Sequence, residues 1–270
     1  MNKMRLLTWF GIGVIGFLVV GAVFVPLLSS HTYYDTHLHL KNMPPCRDFW
    51  FGSDELGRDI FVRIWWGARI SLFVAAAASL LDLCIGVFFG FTAGYFGGKV
   101  DASLMRVADI LYALPYLIVV ILLITLIGSG LFTVILALAA TGWINMARIV
   151  RAHVLKIKQL DFIKSAQVLG VRRGRLFLRH FFPNMAGPIL VAITMTIPSS
   201  ISAEAFLSFM GLGVQVPCAS WGVMAYDGLS ALSFYPWRLL FPAAFISVTM
   251  IGFHIVGDAL CECMDPVTFS

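Results

Sequence analysis

Five long stretches of this chain carry almost no ionisable side chains, and they decide what it can fold into. Residues 6–30 hold none, residues 70–98 only Asp82, and residues 110–147 run for 38 positions without a charge. Residues 181–210 carry only Glu204, and residues 239–257 only His254. A membrane-crossing helix needs about 20 consecutive apolar residues. The longest stretch therefore has room for two spans, divided at the turn signal Gly128, Ser129, Gly130. Each span is expected to be helical, because lipid offers no partner to an unpaired backbone group.

Composition excludes the soluble alternatives. Charged residues make up 12% of the 270 and hydrophobic ones 60%, whereas a soluble domain carries about 25% charge. Five cysteines are too few for a disulfide scaffold of this length. The expectation is an all-α polytopic bundle of six transmembrane helices.

A net charge of +5 raises nucleic acid as a partner, but the placement of the charges argues against it. Lys3 and Arg5 precede the first span and set the N-terminus inside. The inside segments are then 1–5, 98–107, 148–180 and 258–270. They hold 13 of the 19 Lys and Arg, nine of them between positions 148 and 179. This bias fits cytoplasmic loops, with both termini cytoplasmic. The first span is too long for the core of a cleaved signal peptide and reads as an anchor.

Most motif-like strings have bland readings. Gly11, Gly13 and Gly16 match a dinucleotide fingerprint, but inside a span with no preceding strand they suit helix packing. Gly86, Gly90, Gly94 and Gly98 recur every four residues and suggest a seam for close helix approach. His31, His37 and His39 share a polar outside loop without metal-ligand spacing. Cys46 and Cys218 both fall outside, where pairing depends on an unknown distance. No phosphate loop occurs, and no nucleophile–base set suggests catalysis. Asp82 and Glu204 are costly in a membrane, and each is a candidate for lining a pathway or bonding between helices. Asp109, His254 and Asp258 suit helix ends, and Pro115 and Pro198 can kink their spans.

The inside loop 148–184 is the most informative segment. It carries Asp161, Phe162, Ile163, Lys164, Ser165, Ala166, Gln167, then Gly170, and closes with Phe182 and Pro183. Two short helical patterns flank Gly170, with Ile163, Ala166 and Gln167 on one face. Such a unit suits anionic lipid or a groove on a partner protein.

This loop resembles the coupling loop of binding-protein-dependent ABC importer permeases, with Lys164, Ser165 and Ala166 standing where the family has Glu-Ala-Ala. Three more strings resemble the dipeptide/oligopeptide permease subfamily, second-permease type. They are Phe51, Gly52, Ser53, Asp54, Glu55, Leu56, Gly57, Arg58, Asp59; Phe206 to Gln215 with Pro217 and Ser220, Trp221, Gly222; and Gly257, Asp258 with Asp265, Pro266. The resemblance implies a type I ABC importer permease, with residues 1–69 as anchor span and external loop and 70–270 as the permease domain. It implies a bacterial inner-membrane subunit importing di- or oligopeptides, forming half of the pathway and catalysing nothing itself. Partners would be a second permease, two ATPases that hold ATP and Mg²⁺, an external solute-binding protein and lipid. Asp161, Lys164, Ser165, Ala166, Gly170 and Pro183 would form the ATPase-coupling site. The alternative is an ion-coupled secondary transporter using Asp82 or Glu204 as a relay.

Overall fold

The computed structural model describes residues 2–29, 31–214 and 218–264, with side chains from residue 6 onward except those of 167 and 264. Gln215, Pro217, Asp265 and Pro266 of the strings above lie outside the described residues. Ten α-helices follow one another among the described residues: α1 (Asn2–Leu28), α2 (Ile60–Phe96), α3 (Gly98–Ala113), α4 (Tyr116–Ile127), α5 (Leu131–Lys158), α6 (Asp161–Val168), α7 (Arg173–Leu176), α8 (Phe182–Phe209), α9 (Trp221–Leu229) and α10 (Trp237–Met264). A single isolated bridge, between Ser53 and Asp59, is the extent of β-structure among the described residues.

Among the described residues, five helical stretches are long and apolar enough to cross a membrane, and α3 with α4 makes a sixth only as a bent pair. The sequence places one span after position 110; instead the chain turns by 88° between α3 and α4. Pro115 causes the turn. It has no N–H to extend α3 and pushes Leu114 out of the helical region, to ψ 131°. Ile110 to Ala113 thus belong to α3, which two ion pairs hold against α5. Arg151 grips Asp101 at 2.5 and 2.6 Å, and Arg148 reaches Asp109 at 2.9 Å.

The second span begins ten residues earlier than position 70, because Asp59 caps α2 by accepting from the Phe61 N–H. Its 37 residues extend about 55 Å, well beyond a hydrocarbon layer of about 30 Å. The added turns admit Arg63 and Arg69 because both find partners. Pro26 leaves the Ala22 carbonyl in α1 without its helical donor, and Arg69 supplies one through Nε. Arg69 also donates to the Val23 carbonyl at 2.6 Å.

The most extensive pairing in the bundle joins α2 to α5. Added Cβ atoms at Gly86, Gly90 and Gly94 would overlap Met146, the Ala147 carbonyl and Val154 respectively, so these glycines let the helices touch. Gly98 takes no part in this seam; its φ of +53° serves the turn into α3. The dinucleotide-like string is plain helix, with Gly11 against Gly252 and Ile255 of α10. Four apolar clusters run along the bundle among the described residues, the smallest setting Ala108 of α3 against Trp143, Ile144 and Ala147 of α5. Of the others, one joins α2, α5 and α8 at the loop end, another joins α2, α4 and α5, and a third gathers Trp65 and Trp221 at the opposite end.

Candidate functional site

Helix α6 projects from the bundle, with Ile163 and Ala166 buried on the cluster that holds Val154, Ile157 and Phe181. It ends in a left-handed glycine cap. Gly170 has φ +71°, and the Val171 N–H donates to the Ala166 carbonyl at 3.2 Å. That bond, with Val171 packed on the same cluster, is the Schellman arrangement. Any side chain at Gly170 would be strained in this conformation. The cap leaves Val168 and Leu169 outside, 88% and 82% exposed.

The other coupling residues separate by role. Asp161, Lys164 and Ser165 lie on the exposed side. Lys164 pairs with Asp161 at 3.1 Å, and the Ser165 hydroxyl donates to the Asp161 carbonyl at 2.9 Å. An exposed pair of this kind adds little stability. Ala166 faces inward and holds α6 down. Pro183 opens α8 just after a π-helical turn at Phe177–Phe181, where the missing proline N–H removes one helical bond. Sequence reasoning passed over Val168 and Leu169. The available signal was two apolar residues before a glycine in a basic loop.

One face of α8 lines three neighbouring cavities that share residues. The largest, about 910 Å³, is bordered by Asn145, His153, Pro183, Asn184, Thr196 and Ser199, among others. Thr196 and Ser199 also border a cavity of about 240 Å³ beside Asp82 and Tyr116. Tyr116 and Ser199 then meet a third, of about 510 Å³, at Ser202, Phe206 and His254. Spacings of three and four along α8 (Val191, Met195, Ser199, Ser202, Phe206) keep these groups on one side of the helix.

The two membrane carboxylates differ. Glu204 is fully buried and accepts from Ser71 at 3.0 Å and from Ser208 at 2.8 Å. Ser71 in turn accepts from the Trp221 N–H at 3.3 Å, so Glu204 ties α2, α8 and α9 together. Asp82 has no such serines and borders a cavity. Of the helix-end candidates, Asp109 pairs with Arg148, while His254 and Asp258 are exposed.

At the far end the loop 31–59 is locked by charge. Asp54 accepts from Arg58 Nε at 2.6 Å, from the Leu56 and Arg58 N–H groups at 2.9 Å, and from Arg63 Nη1. Arg63 also faces Asp227 of α9 at 4.0 Å. Arg238 of α10 holds Glu55 at 3.4 Å and Asn42 at 3.2 Å. Burial would raise the Asp54 pKa, but Arg63, the backbone donor and Arg58 together outweigh it and hold the carboxyl below its usual range. Burial dominates at Asp59 and Asp227 and raises both, at Asp59 against the Phe61 N–H and His31, at Asp227 against Arg63. His31 stacks on Phe49 and reaches Asp59 at 3.3 Å. All five cysteines are free thiols, Cys46 and Cys218 included.

The binding-protein-dependent transport system inner membrane component family matches residues 86–268. The chain belongs to this family. The N-terminal transmembrane domain of oligopeptide transport permease C matches residues 5–45 of the permease. Over 265 residues the permease is 52% identical to the oligopeptide transport system permease protein OppC of Bacillus subtilis, covering 98% of this chain and 86% of the relative. It is 51% identical to DppC, the dipeptide transport system permease protein of that organism, over 98% and 83%. With OppC of Escherichia coli it shares 42% over 92% and 84%. Its fold resembles the inward-facing MetNI methionine ABC transporter, with TM-score 0.61 at 16% identity over 73% of the permease and 94% of that chain. An amino acid ABC transporter solved with histidines gives 0.55 at 17%, over 73% and 92%. The permease is thus a multi-pass inner-membrane subunit of a bacterial ABC importer, and nothing in these comparisons supports the ion-coupled alternative.

Proposed function

We propose that the permease imports di- or oligopeptides, forms half of the translocation pathway, and is driven by a separate ATPase that grips the tip of α6. The observation that carries this reading is the pair Val168 and Leu169, held out in solvent by the Gly170 cap on a helix whose inner face is anchored in the bundle. An apolar knob on a short, fixed helix suits a groove on a partner. Asp161, Lys164 and Ser165 border that contact, Ala166 and Gly170 hold its shape, and Pro183 connects it to α8 and the largest cavity. The two Bacillus relatives named for oligopeptides and dipeptides support the substrate class.

The α6 end and both termini are cytoplasmic, as the Lys and Arg bias of loop 148–180 suggests. A second permease would complete the cavity face, and an external solute-binding protein would deliver the peptide to the end carrying loop 31–59. Residues 1–69 add an anchor span and external loop to the 70–270 permease domain. ATP and Mg²⁺ belong to the two ATPase subunits. Closure of those subunits on ATP would move α6, and rigid-body rocking of the helices would switch access, the peptide gaining passage by its different contacts in the two states.

The test is purification of the tagged permease from membranes in mild detergent. A second permease and ATP-hydrolysing subunits are expected in the eluate at fixed ratio; elution of the permease alone, from membranes that take up peptide, would overturn the reading.

A further inference from the structure

Asp82 sits in the middle of α2, 3% exposed, with its Oδ1 enclosed and without a hydrogen-bond partner. A carboxylate left so in a membrane protein is expensive unless something pairs with it. Glu204 shows how this bundle satisfies a carboxylate it uses for packing: two serine hydroxyls donate to it. Asp82 receives no such pair. Its position is built all the same, since Gly142 of α5 leaves the space its carboxylate fills; an added Cβ there would strike both carboxylate oxygens.

The cavity of about 240 Å³ beside Asp82 is bordered by the Tyr116 phenol, Thr141, Asn145, Thr196 and Ser199. The Tyr116 hydroxyl is buried and also unpartnered. No Lys or Arg borders this space. It is therefore an acidic recess with hydroxyl and amide groups on its wall and no internal counter-charge, and it shares Asn145, Thr196 and Ser199 with the larger cavity along α8.

We propose that Asp82, with Tyr116, is a subsite of the translocation pathway that binds the ammonium group of the passing peptide. The proposal rests on the peptide-importer reading. The α-ammonium is the cationic group every free di- or oligopeptide carries, and a lysine side chain offers the same chemistry. An ammonium's three N–H donors match one carboxylate with hydroxyl and amide oxygens beside it.

The test uses the complete transporter in proteoliposomes, with its ATPases and binding protein, and measures uptake of trialanine, its desamino analogue, and a desamino tripeptide ending in lysine. The binding protein is the same throughout, so its own preference cancels when variant is compared with wild type. Asp82→Asn is expected to lower the trialanine-to-desamino uptake ratio about tenfold or more, as loss of a charge-assisted hydrogen bond would. Asp82→Glu should recover much of it, and Tyr116→Phe should move the ratio the same way. A parallel fall for the lysine peptide assigns the site to any ammonium, and its absence to the N-terminus alone. An unchanged ratio, including equal loss of both substrates, overturns the proposal. If Asp82→Asn does not assemble, Tyr116→Phe decides by itself, an unchanged ratio again counting against. Wild-type transporter that hydrolyses ATP but moves none of these peptides overturns the peptide reading instead.

Discussion

Replacing Val168 and Leu169 together by aspartate should leave the permease in the membrane and abolish most ATP-driven uptake. Both side chains are more than four-fifths exposed, so the fold loses almost no packing when they change. Their apolar surface does its work only against a partner. A fully buried Val or Leu contributes about 1.5–3 kcal/mol. Losing two therefore weakens the contact by about two orders of magnitude or more, before the cost of burying two new charges. Uptake in cells and retention of ATPase in detergent should fall together. Ser substitutions at Asp161 and Lys164, which removes only an exposed ion pair, should cost far less. Normal uptake by the double aspartate variant would remove the α6 tip from the coupling route.

Arg63→Met should give the largest loss of stability, about 3–5 kcal/mol for breaking a buried ion pair from one side. The change strands Asp54 with Arg58 and leaves Asp227 facing one cation fewer. The pH dependence has a definite sign. In the native protein the Asp54 carboxyl is held below its usual value, so its stabilisation is complete above the unfolded pKa and is lost as pH falls through the lower folded one. Without Arg63 burial is opposed only by Arg58 and the backbone donors, and the Asp54 pKa rises. The defect should then be greatest near neutral pH and shrink in acid, as the carboxyl takes up a proton. Adding Asp54→Asn to Arg63→Met should recover part of the loss at neutral pH. Thermal unfolding in detergent at pH 7 and pH 4.5 checks both points; additive losses would show that the two groups do not act as a pair.

Much of this architecture is written locally and could be read without coordinates. Uncharged runs mark spans because an unpaired charge is costly in lipid, and Gly128 to Gly130 falls where α4 gives way to α5. Gly170 was legible as a break because only glycine sits easily at its positive φ. The misreadings arise where a distant partner changes the cost of a residue. Arg63 and Arg69 looked like the end of a loop, yet Asp54 and the carbonyls of Ala22 and Val23 let them ride on α2. Residues 110–113 looked like membrane, but Arg148 and Arg151 hold their helix against α5, and Pro115 turns the chain. Asp82 and Glu204 looked alike because the serines that distinguish them come from other turns and helices. Val168 and Leu169 carry no mark of their own in the sequence, since exposure is a property of the folded cap.

The most direct measurement is peptide accumulation in proteoliposomes that contain this permease either alone or with its second permease and ATPases, in the presence of loaded binding protein and ATP. Accumulation should require the full set, stop when ATP is withheld, and be lost with the Val168 and Leu169 double aspartate variant. Accumulation by the permease alone, or at full rate with the variant, would contradict the account.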